Sequence, residues 1–389
     1  MPTEDLSLVD GGPLYHLLRR MGMAGPAGSR ALVRAVLLAA LAWIPLLALA
    51  AARGQAIGDS VRMPFLTDFS TYTRFLIALP LLVLAEAVID PWARIAARHF
   101  VATGIVKDEE LPRFNAAVRR AWRVRDSVAA EIAIIILAWS GAWLGLHMGP
   151  PISISHWYGT IAPSGRQLEP AGWYYALVSI PIFQLLIYKW VWRLIVWSVF
   201  LASVSRLDLR LPATHPDGAA GLGFLDLVTM RFVLIVLAGF TALAGVFGNA
   251  QYHAGAPLSA FAGSFFAFLL VALAICIGPN VSLIPKLMLA RSKGVLEYGQ
   301  LARQYMALFE EKWVNEWKGR DDSILGTPDI QSMADIGHAS EVVENMRLLP
   351  VRRMTITLYV AAAVLPMLPL IMAEMGVGKV MGMLLGIGG

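Results

Sequence analysis

The chain has 389 residues, of which 57% are hydrophobic and only 15% charged, with a mean hydropathy of +0.63. This excludes a water-soluble globule, in which apolar residues and glycine together make up about 45–50%. The single cysteine, Cys276, excludes an intramolecular disulfide and a cysteine-based metal site. In a membrane protein, the net charge of +5 is explained by Lys and Arg on the cytoplasmic side and does not indicate nucleic-acid binding. The composition predicts an all-α polytopic membrane protein.

Seven stretches with few or no charges are long enough to cross a bilayer as helices. Residues 50–52 also suit signal-peptide cleavage, but a polar leader of about 30 residues favours a retained membrane anchor. The tail 375–389, rich in Gly and Met, leaves an eighth membrane segment open. The predicted spans are Ala35–Ala52, Thr73–Asp90, Ser127–Met148, Gly172 to about Ser203, Phe224–Gly248, Leu258–Ile277 and Met354–Ala373.

Lys and Arg are distributed unequally between the two sides of these spans. If the N-terminus is cytoplasmic, the cytoplasmic segments hold 23 of these residues and the outer segments hold 4. Because cytoplasmic loops of membrane proteins are enriched in Lys and Arg, the sequence predicts a cytoplasmic N-terminus and an outer C-terminus.

The segments between the spans divide the chain into four predicted parts. The first is a cytoplasmic N-terminal segment, 1–30, and the second, 31–285, holds the first six spans and a basic cytoplasmic helix within 91–126. That helix is expected to lie against anionic headgroups or a partner helix. The third part, 286–353, holds cytoplasmic amphipathic helices, and the fourth, 354–389, is the last span with its tail.

Helical spacing of apolar residues places the two amphipathic helices at 295–317 and 329–349, where they form a small cytoplasmic cap.

Spans four and six, the latter continuing to Leu289, each run for 32 residues. That is about 48 Å of helix against about 30 Å of hydrocarbon. They are expected to project below the membrane with apolar surface that the cap or a homo-oligomer covers, with steep tilt as the alternative. Gly278-Pro279-Asn280 predicts a hinge.

Charged side chains inside the predicted spans are functional candidates, because an ionisable group in lipid is costly. Glu86 and Asp90 are four residues apart in the second span, so they share one helix face. Lys189 and Arg193 do the same in the fourth span, and Glu131 of the third span falls at the same depth on the cytoplasmic side. This layer is either a gate or ion pathway, or a set of interhelical ion pairs that fixes helix register.

Lys189 and Arg193 favour the functional interpretation of this layer. They lie among tyrosine and tryptophan side chains in a span that stays apolar for ten more residues, so simple placement at the membrane interface explains them poorly. Arg231, in the fifth span, is a further candidate ligand-binding residue.

The most distinctive stretch is 214–226, Thr-His-Pro-Asp-Gly-Ala-Ala-Gly-Leu-Gly-Phe-Leu-Asp. Its glycines let backbone amides approach a phosphate, carboxylate or small anion, and the positive end of the fifth helix lies beside them. Two arginines, Arg206 and Arg210, precede it. The alternative is a re-entry turn in which the aspartate caps and the glycines permit close packing. The candidate ligand-binding residues here are His215, Asp217, Gly218, Gly221 and Gly223.

Sequence motifs of known metal, nucleotide and nucleophile sites are missing from the chain. It contains no HExxH, CxxC, GxSxG or Walker pattern, and its seven histidines are scattered. We therefore predict no metal, no cofactor, no catalytic residue and no nucleic-acid partner.

Four short motifs carry a resemblance. His-Pro-Asp at 215–217 and Gly-Leu-Gly-Phe at 221–224 are followed by Asp-Ile-Gln-Ser-Met-Ala-Asp-Ile-Gly at 329–337 and Met-Arg-Leu at 346–348. In motif and spacing the chain resembles a family of uncharacterised bacterial multi-span membrane proteins, best over its last 180 residues. The resemblance implies a bacterial inner-membrane location and contact between the Gly-rich loop and the 329–349 helix. It implies no activity and no catalytic residue.

Three functions follow as hypotheses. The first is an oligomeric channel or transporter that passes or senses an anion, with a cytoplasmic constriction built from Lys189, Arg193 and the Gly-rich loop. The second is a membrane scaffold or regulatory protein that docks a partner through its cytoplasmic helices. The third is a membrane enzyme that acts on a lipid or phosphorylated substrate through His215 and Asp217.

Overall fold

The structure, a computed structural model, describes residues 5–23, 30–148, 156–162, 165–315 and 328–375. Within these residues it is a helical bundle in which seven helices are long and apolar enough to span a membrane. The predicted fold class, an all-α polytopic membrane protein, is confirmed. The spans are therefore surrounded by a lipid bilayer.

In chain order the helices are α1 Pro13–Arg20, α2 Ala31–Ala52, α3 Phe69–Ala102, α4 Leu111–Arg125, α5 Val128–Met148, α6 Pro170–Val204, α7 Leu225–Ala254, α8 Leu258–Asn315, α9 Pro328–Glu344 and α10 Arg353–Met375. The spans are α2, α3, α5, α6, α7, α8 and α10, and α4 leads into α5.

One antiparallel strand pair, β1 Gly159–Ala162 and β2 Gly165–Leu168, lies between α5 and α6. The sequence analysis did not predict it. Each strand has only four residues, which is too short for an alternating pattern to stand out.

Two of the spans change helical geometry just before a proline. In α3 a π turn covers Tyr72–Ala78 before Pro80, and in α6 another covers Tyr175–Ser179 before Pro181. Proline has no N–H to donate, and its ring clashes with the carbonyl four residues earlier. The widened turn places the ring without breaking the helix.

The predicted hinge in α8 is a short 3-10 turn, Gly278–Leu283. The Asn280 side chain is fully buried there, and its Nδ2 donates to Thr229 Oγ1 of α7 at 3.0 Å. The amide therefore ties the bend in α8 to a neighbouring span at the point where the backbone leaves α geometry.

The core lies along α3, against which both α6 and α7 pack, and α5 and α8 expose apolar side chains outward as lipid-facing helices do. Close approach of α7 to the start of α3 depends on Gly245. A Cβ atom there would overlap Thr73 Oγ1 and lie 2.8 Å from Ser70 Cα. A small residue is required because the two backbones nearly touch.

The two ends of the bundle differ in charge. The end formed by 5–23, 103–127, 205–224 and 345–352, here called the basic end, carries eleven arginines, whereas the connections 53–68 and 156–169 at the opposite end carry three. At the opposite end the buried Asp68 carboxylate accepts hydrogen bonds from Trp157 Nε1 at 3.0 Å and Asn249 Nδ2 at 2.6 Å.

The predicted cap has different helix bounds from those expected. The 295–317 helix is not separate, because α8 continues from the sixth span to Asn315, and α9 ends at Glu344 instead of 349. The two helices pack on each other. Tyr305 Oη donates to the Asp329 carbonyl at 2.8 Å, and Gly294 of α8 lies against the buried Val343 of α9.

Candidate functional site

Five charged side chains from four helices form a buried group, here called the ion-pair layer. It consists of Arg34 of α2, Glu86 of α3, Glu131 of α5, and Lys189 and Arg193 of α6. Arg34 and Glu131 lie in the first turn of helices that start at the basic end. The layer is therefore near that end of the spans, and α3 and α6 continue beyond it.

Glu86 is the centre of this layer. Its Oε1 accepts a hydrogen bond from Arg193 Nη2 at 2.6 Å, and its Oε2 accepts from Arg34 Nη2. The three side chains are 6–9% exposed. Because one carboxylate compensates two guanidinium groups, its loss would leave both cations buried without a counter-charge.

The second pair lies one helical turn away on α6. Lys189 Nζ donates to Glu131 Oε1 at 2.9 Å, and the other carboxylate oxygen accepts the backbone N–H of Leu14 at 3.0 Å. Glu131 thus joins the ion-pair layer to the first turn of α1.

The layer holds three cations and two carboxylates, a net charge of +1. Arg193 Nη1 is buried and has no hydrogen-bond partner among the described residues. The Arg193 guanidinium lies 4.8 Å from the centre of the Trp190 ring, and a cavity of about 20 Å³ borders Lys189 and Arg193. That space accommodates about one water molecule.

Residues 5–12, here called the N-terminal segment, fold back onto the basic end of the bundle. Leu6 is fully buried and Leu8 nearly so. The buried Asp90 carboxylate accepts hydrogen bonds from Ser7 Oγ at 2.8 Å, Leu8 N at 2.6 Å and Val9 N at 3.0 Å. The segment is therefore anchored on the second span, and it covers the Lys189 side of the ion-pair layer, where Leu8 and Val9 border the same small cavity as Lys189 and Arg193.

Arginine side chains fix the N-terminal segment from two sides. Arg94 Nε donates to Asp90 at 2.8 Å, and its Nη atoms donate to Asp5 and Asp10. Arg125 Nη1 donates to the Ser7 carbonyl at 2.8 Å. Charges on α3 and at the end of α4 thus hold a segment too short to fold alone.

The structure separates residues that the sequence placed in one layer. Asp90 is buried as expected, but it binds the N-terminal segment and Arg94 instead of joining Glu86. Arg34, by contrast, belongs to the layer and was not among the predicted site residues. The sequence placed it one residue before the first predicted span, Ala35–Ala52, where a flanking cation is ordinary, and only the earlier start of α2 at Ala31 brings it into the span.

Arg231 does not contact the ion-pair layer. Its guanidinium carbon lies 3.4 Å from the centre of the Trp92 ring, and its Nη1 donates to the Leu227 carbonyl of its own helix. Asp226, nearby on α7, accepts from Thr355 Oγ1 at 2.8 Å and from the backbone N–H of Arg352 at 3.0 Å. These contacts tie α7 to α3 and α10.

The Gly-rich loop wraps around the Asp217 carboxylate. This group accepts the backbone N–H groups of Ala219 at 2.8 Å, Gly221 at 3.1 Å and Gly223 at 2.8 Å. Positive φ angles at Gly218, Ala220 and Gly221 turn these amides inward. A Cβ atom at Gly223 would lie 2.9 Å from Asp217 Oδ2, so glycine is needed there.

The amides predicted to approach an anion are therefore occupied by a carboxylate of the same loop. This is the geometry of the alternative interpretation, a re-entry turn capped by Asp217. His215 Nδ1 lies 2.9 Å from Asp217 Oδ1. A ligand at this loop has to use side chains on its rim.

The loop also contacts the segment that follows α9, as the resemblance implied. The Arg347 backbone N–H donates to the Gly218 carbonyl at 2.8 Å, and Arg347 Nη2 donates to the Asp217 carbonyl at 2.6 Å. The motifs at 215–224 and 346–348 thus form one structural unit.

The pKa of Asp217 reflects two opposing effects. Burial raises this pKa, but hydrogen bonds from the three amides and His215 lower it more, so it lies below the ordinary 3.8. A carboxyl whose pKa is depressed by folding stabilises the folded state above its unfolded pKa. That stabilisation is lost as pH falls through the folded pKa.

We expect Asp217→Ala to lower the free energy of unfolding by about 2 kcal/mol, as loss of a strong cap does. Thermal unfolding in detergent should show the same loss of stability relative to wild type at every pH from about 5 to 8. This difference should shrink only below about pH 4. Asp208→Asn, at an exposed carboxylate shortly before the loop, is the control and should change little. A loss that disappears already near neutral pH would contradict this account.

Comparison with models of protein families, with curated proteins and with solved structures gives no match to this chain. Within the described ranges, no three or more His, Cys, Asp and Glu side chains are grouped so that they can hold a metal ion. The functional argument therefore depends on the chemistry of the ion-pair layer and of the loop.

Proposed function

We propose that the protein is a membrane channel or transporter for an anion, with the ion-pair layer as its constriction. The observation that carries this proposal is the net charge of +1 in a buried layer where Arg193 Nη1 has no partner among the described residues. An uncompensated cation at this depth is costly, and a passing anion supplies the missing charge and hydrogen-bond acceptor.

The basic end is the cytoplasmic end in this proposal, and the membrane is a bacterial inner membrane. The excess of Lys and Arg in the segments at this end supports the orientation. The location comes from the resemblance noted above. The constriction then lies near the inner leaflet.

The described conformation is a closed one. The N-terminal segment covers the layer, and the cavity of about 20 Å³ beside Lys189 and Arg193 is too small for more than a water molecule. Opening requires the segment to leave Asp90, to which it is held by hydrogen bonds and not by a continuous helix.

A homo-oligomer is part of the proposal because α8 is longer than a bilayer can cover. Its 58 residues correspond to about 87 Å of helix, of which lipid covers about 30 Å. Beyond the hinge, Leu289 and Leu296 are 66% and 73% exposed. A second copy that packs along this part of α8 removes this apolar surface from water.

Anion flux into proteoliposomes tests the proposal, with the full chain and with a form that lacks residues 2–12. Lys189→Gln combined with Arg193→Gln should reduce flux by about tenfold or more in the open form, since the binding charge is lost. Arg353→Gln, an exposed arginine at the same end, is the matched control. Absence of anion flux in both forms contradicts a channel or transporter and favours the membrane scaffold that docks a partner on α8.

A further inference from the structure

A second cavity, of about 290 Å³, lies at the basic end beside the Gly-rich loop. Its walls come from the end of α3, the connections 103–106 and 210–224, and the residue before α10. Four basic side chains line it: His99, Arg210, His215 and Arg352. None of them belongs to the ion-pair layer.

The two arginines of this cavity have unused donors. No ion pair or side-chain hydrogen bond engages Arg210 within the described part of the chain, and Arg352 makes one long ion pair, with its Nε 3.9 Å from Asp226 Oδ2. Asp217 also lines the cavity, but three backbone amides already compensate it. The cavity is therefore cationic, with guanidinium groups free to bind an oxyanion.

Local structure fixes Arg210 at the cavity wall. Its backbone N–H donates to the Ile105 carbonyl at 2.8 Å, and Val106 pairs with Leu209 in an antiparallel bridge. Two connections are thereby joined at the point where Arg210 and Ile105 both face the cavity. An arginine on a fixed backbone loses less entropy when it binds than one on a free loop.

The remaining wall is apolar. Ile105, Phe224 and Leu227 line it, and the Phe224 ring packs against His99 with 4.5 Å between ring centres. A cavity lined by both basic and apolar groups suits a phosphate carried on a less polar body. Its volume is near the lower limit of about 300 Å³ for ligand pockets, which fits one phosphate-bearing group better than a dinucleotide.

We propose that this cavity binds a phosphate-bearing group through Arg210 and Arg352. Two sources share this chemistry: the headgroup of an anionic phospholipid, and a free phosphate or phosphate monoester. Arg352 immediately precedes α10 and Leu227 is in the first turn of α7, so the cavity lies where two spans begin. The proposal does not depend on the anion route, and either can fail alone.

Native mass spectrometry of the protein in detergent tests the lipid source, with phosphatidylglycerol compared with phosphatidylcholine. We expect Arg210→Gln with Arg352→Gln to weaken phosphatidylglycerol binding by about tenfold or more, as loss of two charge-assisted contacts does. Arg206→Gln with Arg353→Gln is the matched control. It removes the same charge from positions close in sequence to Arg210 and Arg352, and neither residue lines the cavity.

Thermal unfolding of delipidated protein with inorganic phosphate tests the soluble source, because a ligand that binds only the folded state raises Tm. If phosphate stabilises the wild type and the control but not the cavity variant, the ligand is a soluble phosphate. If phosphatidylglycerol binds the wild type and the control but not the cavity variant, the ligand is a lipid headgroup. Binding in neither assay, or an equal loss in both variants, overturns the proposal. If the glutamine variant does not fold, Arg210→Lys with Arg352→Lys keeps the charge but loses the bidentate geometry and should still weaken binding.

Discussion

Replacing Glu86 with glutamine is expected to lower the free energy of unfolding by about 3–5 kcal/mol, the usual cost of removing one partner from a buried ion pair. The size of the effect follows from the position of Glu86 between two guanidinium groups. Without its charge, Arg34 and Arg193 remain buried, close together and uncompensated. Their mutual repulsion adds to the cost of burial.

Unfolding in mixed micelles, followed by tryptophan fluorescence, measures this loss. Glu109→Gln makes the same chemical change at an exposed position and should alter stability by no more than about 0.5 kcal/mol. Adding Arg34→Met to Glu86→Gln should recover part of the loss, since one of the two unpaired cations is then removed. Equal losses at positions 86 and 109, or no recovery in the double variant, would show that Glu86 does not compensate these arginines.

Much of the ion-pair layer was accessible from sequence because charge inside an apolar span is a strong local signal. Glu86, Glu131, Lys189 and Arg193 all stand out against uncharged neighbours, and a buried charge requires a partner. Which cation pairs with which carboxylate could not be predicted from the sequence. Helix spacing placed Glu86 and Asp90 on one face, but which helix faces each carboxylate depends on tertiary packing.

The N-terminal segment could not be predicted for a related reason. Residues 5–12 are too few to show a period of apolar residues, and their binding site is a carboxylate about 80 positions away in the chain. A short polar and apolar sequence of this kind is typical of a solvated terminus. Hydrogen bonds to Asp90, together with those from Arg94 and Arg125, turn it into a buried element.

For the Gly-rich loop, the sequence did not decide between an anion site and a capped turn for a different reason. Glycines that allow amides to converge on an external anion also allow them to converge on an aspartate of the same loop. Sequence spacing is the same in both cases. The structure distinguishes them because the Asp217 carboxylate reaches amides two, four and six residues ahead.

Removal of residues 2–12 is expected to raise anion flux through the protein by about tenfold or more, because the segment is what covers the layer. Leu8→Asp should have a similar effect without a deletion. Leu8 is 2% exposed and its N–H binds Asp90, so a carboxylate at this position would be buried beside another. Burial of an unpaired charge costs several kcal/mol, which is enough to shift the segment to its released state.

Leu17→Asp is the matched control, since Leu17 lies on α1 just after the segment and is 52% exposed. In Leu8→Asp, anion flux into proteoliposomes and protease cleavage within residues 5–12 should both rise. In Leu17→Asp neither should rise. The pairing of these two measurements separates a gate from a structural contact. If the segment only stabilises the bundle, Leu8→Asp lowers Tm and exposes the segment to protease, but anion flux stays at the level of the full chain.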